Sequence, residues 1–165
     1  MKKIIMLGIT VFALILTLTG CDNANAELSE AERHAQSTPT EDSRPLEGVF
    51  LDGVEMIVQD VSSSGLSFSF HNITDSEYLY GSDFSLSSLK NGSWEPVEPI
   101  IENWGFTSEG YDIMPNSTTD ITPIDWQWLL GELPSGEYRI QKSVLFIRSP
   151  GDFDEYIVEA EFAIH

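Results

Sequence analysis

Ser62-Ser63-Ser64-Gly65-Leu66-Ser67-Phe68-Ser69-Phe70 is the stretch whose reading decides the fold. Three serines and a glycine form a turn signal, and apolar residues then alternate with serine. A period of two puts Leu66, Phe68 and Phe70 on one side of an extended strand and Ser67 and Ser69 on the other. The same period recurs on both sides of this stretch. Val54, Met56 and Val58 alternate upstream, and Phe84 and Leu86 downstream. Lys90-Asn91-Gly92-Ser93 reads as a two-residue hairpin leading to Trp94, because Asn-Gly accepts positive φ at both positions. Tyr111 and Ile113 precede a turn at Pro115-Asn116, and a further strand is expected through Ile121. Tyr138 and Ile140 open a strand that runs through Val144 and Phe146. Ser149-Pro150-Gly151-Asp152 then turns the chain into Tyr156, Val158, Ala160, Phe162 and Ile164. Only Ile124 to Leu130 reads as helix, for about two turns.

Seven to eight short strands separated by turn signals predict an all-β sandwich, since each apolar face must be buried against another. Trp94 and the alternating phenylalanines are expected in its core. Every aromatic residue except Phe12 lies between Gly48 and His165. The hydrophobic share of the 165 residues, 41%, suffices for one packed core.

The charge is lopsided. Asp and Glu number 27 against 8 Lys and Arg, a formal charge of -19. Affinity for nucleic acid comes mainly from Lys and Arg opposite phosphates, so DNA and RNA are excluded as partners. A single cysteine, Cys21, rules out an intramolecular disulfide and a Cys-rich metal site.

The N-terminus reads as an address. Met1-Lys2-Lys3 is a positive start, Ile4 to Leu18 is an uncharged and mostly apolar run, and Leu18-Thr19-Gly20-Cys21 closes it. This is the layout of a secretory signal, and the run is short of the ~20 residues of a membrane span. Leu18-Thr19-Gly20-Cys21 resembles the lipobox of bacterial lipoproteins. The resemblance implies cleavage after Gly20 and a diacylglycerol on the Cys21 thiol, whose two acyl chains anchor stably where one does not. Residues 1–20 are then a signal peptide and 21–47 a lipidated tether. The tether holds no aromatic residue and one aliphatic larger than Ala before Leu46. It cannot bury enough apolar surface to offset its ordering entropy, so disorder is expected.

Residues 48–165 form the domain. Several stretches resemble bacterial immunoglobulin-like domains of Gram-positive envelope lipoproteins: Leu66 to Asn72, Tyr78-Leu79-Tyr80-Gly81, Asn91-Gly92-Ser93-Trp94, Ile124-Asp125-Trp126, and above all Leu130 to Ile140. One departure is Pro115-Asn116 in place of Pro-Gly, which asparagine tolerates because it too enters the left-handed region. The resemblance implies an immunoglobulin-like antiparallel β-sandwich in the extracytoplasmic envelope. It supplies no catalytic motif.

Candidate site residues are few. There is no Gly-x-Ser-x-Gly elbow, no His-Glu-x-x-His and no phosphate loop, so no enzyme and no cofactor are expected. His71 falls on the outward phase of its strand. Trp104, Phe106, Trp126 and Trp128 lie near turn signals. Exposed, they form a ligand surface for a sugar ring or a protein; buried, they plug one end of the sandwich. Asp152, Asp154 and Glu155 follow a Pro-Gly turn and are a weak calcium candidate, with a solvated acidic loop as the plainer reading. The partners expected are the lipid membrane through Cys21 and a cationic envelope protein. A wall glycan is the alternative, and a β-sandwich protease inhibitor a further one, although no inhibitory loop is recognisable.

Overall fold

The alternation at Leu66, Phe68 and Phe70 becomes the central strand of one of two packed sheets in a computed structural model, which describes residues 46–165. The expected signal peptide, Cys21 and the expected tether as far as Pro45 lie outside the described residues. The strands are β1 (Val49–Phe50), β2 (Val54–Gln59), β3 (Gly65–Asn72), β4 (Tyr78–Gly81), β5 (Ser85–Lys90) and β6 (Ser93–Pro96). They continue with β7 (Gly110–Ile113), β8 (Ser117–Thr118), β9 (Thr122–Asp125), β10 (Gly136–Ser149) and β11 (Asp152–Ile164). A single helical turn, α1 (Gln127–Leu130), precedes β10.

In the smaller sheet β3 pairs with β2 on one edge and with β8 and β9 on the other. Met56 faces Phe70 and Val58 faces Phe68 across β2 and β3, so the apolar phases of the two strands coincide. The larger sheet runs β1-β11-β10-β4-β7, with β5 and β6 continuing from β10 beside β4. All its pairs are antiparallel except β1 with β11. Ring edges meet ring faces where the sheets pack: Phe70 lies 4.9 Å and Phe68 5.8 Å from Tyr80, and the two phenylalanines lie 5.4 Å apart. Each such contact contributes about 0.5–1.5 kcal/mol beyond area burial.

Local chemistry explains the turns. Asn91 and Gly92 both have positive φ, 52° and 82°, as the two-residue hairpin requires. Asn116 also enters the left-handed region, at φ 48°, so the Pro115-Asn116 turn forms as expected.

The described residues hold eleven strands where seven to eight were expected, since two-residue pieces such as β1 and β8 are too short to show alternation. Three further expectations change. Trp94 is not a core residue. It sits half-buried on β6 beneath the Arg139 guanidinium, 4.4 Å from its ring. The strand expected through Ile121 is broken into β8 and β9 at Thr119, whose hydroxyl accepts from Phe70 N while its own N–H donates to Phe70 O. The helix is one turn, not two, because Thr122–Asp125 is held by β3 and Gly131, at φ 72°, ends the turn.

Candidate functional site

Tyr138, Ile140, Lys142 and Val144 share the inward phase of β10, and all four are buried. A lysine in that phase is the exception to the apolar pattern. Lys142 stands where β10 changes partner: β5 pairs with Tyr138 to Gln141, and β4 with Val144 and Leu145. The crossover from β4 to β5 passes over this gap. Lys142 Nζ donates to the backbone oxygens of Gly81 (2.9 Å) and Asp83 (2.6 Å), at its two ends. The rings of Phe68 and Tyr80 lie 5.3 and 5.5 Å from the nitrogen. The side chain is 1% exposed. Burial pushes its pKa down to about 8, partly opposed by the negative charge of Asp83.

Above Lys142 opens a cleft of about 290 Å³ between the β4–β7 edge of one sheet and β9 of the other. Tyr80, Phe84, Phe106, Tyr111 and Trp128 supply aromatic walls, and Ser82, Thr107, Thr122 and Asp125 the polar groups. Ser82 Oγ donates to Thr107 O at 2.8 Å and ties the two loops of the rim together. The Tyr111 hydroxyl donates to the Glu109 carboxylate at 2.9 Å, which raises the tyrosine pKa.

The four aromatic candidates separate. Phe106 and Trp128 line the cleft, edge-to-face at 6.3 Å, and Trp128 is 46% exposed. Trp104 packs edge-on against Phe106 at 5.4 Å and lines a smaller hollow behind it. Trp126 does not belong to any ligand surface. It is 0% exposed, stacks on Phe162 at 5.9 Å and donates Nε1–H to Ser63 O at 2.9 Å, closing one end of the core.

The acidic loop does not assemble a cation site. Asp152 and Asp154 are both engaged by Arg148, and Glu155 accepts from Ser143 Oγ. Among the described residues no three His, Cys, Asp or Glu side chains are grouped to hold a metal ion. His71 Nδ1 lies 2.9 Å from Thr118 Oγ1 on the outward face, as its phase predicts.

Two sheets in this order, with the Leu133–Gly136 turn feeding the long β10, agree with a sequence match of residues 52–163 to the bacterial Ig-like domain family. The chain belongs to that family. No curated protein matches the sequence. Among solved structures the chain is similar to native alpha-2-macroglobulin from Escherichia coli, in a crystal structure spanning the residues from domain MG7 to the C-terminus. Identity is 16% and the TM-score 0.39, over 72% of this chain and 17% of that one. The chain thus spans less than a fifth of that structure's length. In this Ig-like domain Lys142 and the cleft above it escaped the sequence reading. The available signal was a lysine in the apolar phase of Tyr138, Ile140 and Val144.

Proposed function

We propose that this protein is a non-catalytic, lipid-anchored module of the bacterial envelope, held on the extracytoplasmic face by Cys21, whose Ig-like domain binds a cationic protein. The observation carrying the binding half is the state of the cations. Lys90 faces Glu95 at 3.4 Å, Arg139 faces Glu159 and Glu161, and Arg148 is clamped by Asp152 and Asp154. Lys142 is buried. These are the only Lys and Arg among the described residues, and Asp and Glu far outnumber them. The net charge of the domain is therefore strongly negative, which favours basic partners and disfavours anionic lipid.

The anchoring half rests on Leu18-Thr19-Gly20-Cys21 and on Cys21 being the only thiol. Fractionation of cells expressing Cys21→Ala tests it: an unprocessed precursor is expected, and a variant that matures and partitions like wild type overturns it. For binding, envelope proteins retained by the immobilised protein are expected to be basic and to elute with salt. Retention of neutral or acidic proteins indifferent to salt overturns that half.

A second reading has one specific observation in its favour. Trp128 and Tyr111 are exposed at the mouth of a cleft that also offers hydroxyls, a combination suited to a sugar ring. Titration with soluble wall glycan while following tryptophan fluorescence separates the two readings.

A further inference from the structure

The outward face of the larger sheet divides in two. Its lower half is polar: Arg139 and Glu161 lie opposite each other there, as do Gln141 and Glu159, and the N-terminal segment reaches it where Leu46 N–H donates to Gln141 Oε1. Its upper half is apolar and, among the described residues, uncovered at Ile147 and Phe153. Residues paired across neighbouring strands share a face. Leu79 on β4 pairs with Asp112 on β7 and with Leu145 on β10, and Leu145 pairs with Glu155 on β11. One row across four strands therefore reads acid, leucine, leucine, acid. In the same phase toward the hairpin tip, Ile147 pairs with Phe153, and these are 48% and 50% exposed.

Two hollows flank this ridge. One, of about 450 Å³, is lined by Leu79, Leu145 and Phe153 together with Asp83, Glu109 and Glu155. The other, of about 270 Å³, is lined by Leu79, Leu145 and Ile147 together with Glu77 and Asp112. Neither lining contains a lysine or arginine. The cation closest in sequence, Arg148, stands in the opposite phase, beside Phe146 and Asp154.

We infer that this apolar ridge with its five carboxylates is the docking surface for an amphipathic basic segment of a partner protein. Leucine-like side chains of that segment cover Leu145, Ile147 and Phe153, and its Lys or Arg residues meet the carboxylates on both flanks. The inference rests on the reading of the domain as a receptor for cationic partners, and assigns that role to one face. Charge complementarity selects the occupant, since an anionic membrane or a second copy of this acidic chain brings carboxylates or phosphates to the same rim.

The test uses the full-length protein in discs of zwitterionic lipid, flowed over an immobilised peptide of alternating Leu and Lys, with empty discs as blank. Leu/Glu and Ser/Lys peptides serve as controls. The Leu/Lys peptide is expected to bind and the controls to bind at least about tenfold more weakly, with binding lost between about 0.02 M and about 0.5 M salt. Phe153→Ser, and separately Asp112→Asn with Glu77→Gln, are expected to weaken binding about tenfold. Ile57→Ser, exposed on the other sheet, is expected to leave it unchanged. Circular dichroism verifies that each variant is folded. If the Leu/Lys peptide fails to bind, the receptor reading falls and this inference with it. If it binds wild type and both ridge variants equally, the receptor reading stands and this surface is wrong. A fluorophore on Phe153→Cys that responds to anionic vesicles or to protein concentration, and not to the peptide, assigns the face to lipid or to a second copy and overturns the inference.

Discussion

Lys142→Met replaces a buried ammonium with an uncharged side chain of similar length, and its consequence depends on pH in a way the structure sets. In the fold the amine is pushed down to about 8 from an ordinary 10.5. Below pH 8 both folded and unfolded chains carry the proton, and the fold bears the full cost of burying the charge. Between pH 8 and 10.5 the unfolded chain holds a proton that the folded chain has released, so stability rises with pH. The whole span corresponds to about 3 kcal/mol. Between pH 7.5 and 9.5, wild type gains about 2 kcal/mol from this group by the same linkage relation. Methionine has no such titration. It leaves the Gly81 and Asp83 oxygens without their donor, at about 1–3 kcal/mol each, and removes the charge burial that offsets this at neutral pH. The absolute difference between the two proteins is therefore modest near pH 7.5. The pH-dependent part is the clean quantity, because every other titrating group is common to both chains. Urea melts at intervals from pH 7.5 to 9.5 give the difference in unfolding free energy, and a rise of about 2 kcal/mol in favour of wild type is expected. A flat difference would refute the claim that burial destabilises the charged amine.

Trp126→Ala is expected to cost about 3–5 kcal/mol in a denaturant melt, because it empties a fully enclosed indole site. Trp128→Ala, at the open cleft, is expected to cost about 1 kcal/mol or less, so equal losses contradict the distinction between the two tryptophans. Gly92→Ala meets open space and only its positive φ opposes it, about 1–2 kcal/mol. A Cβ on Gly65 would collide with Ile124 O, so Gly65→Ala must displace β9 and is expected to cost more than Gly92→Ala; the reverse order in thermal melts defeats the argument.

The sandwich was legible because period-two alternation is a direct record of which side of a strand meets the core. Leu66, Phe68 and Phe70 all proved buried, and Asn91-Gly92 turned as its chemistry demands. Alternation reports phase within a strand, but it does not say which phase faces inward when both sides carry large residues. Trp94 was misplaced for a related reason: a large residue between Ser93 and Glu95 reads as a core face, yet on β6 it shares the phase of Leu89, Ser87 and Arg139, which is the outer face of the sheet. Trp126 and Trp128 are two residues apart, and which one enters the core is fixed by a tertiary partner, the Ser63 and Ser64 oxygens that bind the Trp126 indole and backbone N–H. The acidic loop shows the same limit, since Asp152 and Asp154 look like cation ligands until Arg148 is seen between them. Lys142 was the least legible, because its role arises where β10 exchanges one partner strand for another, and neither exchange nor gap leaves a local signal.

The measurement that bears most directly on the account is the N-terminal mass of the protein recovered from membranes of bacteria that express it. A mature chain beginning at Cys21, with diacylglyceryl on its sulfur, is the result the account predicts. A chain that still begins at Met1, or that is cut elsewhere and carries no lipid, contradicts the anchored module at its root.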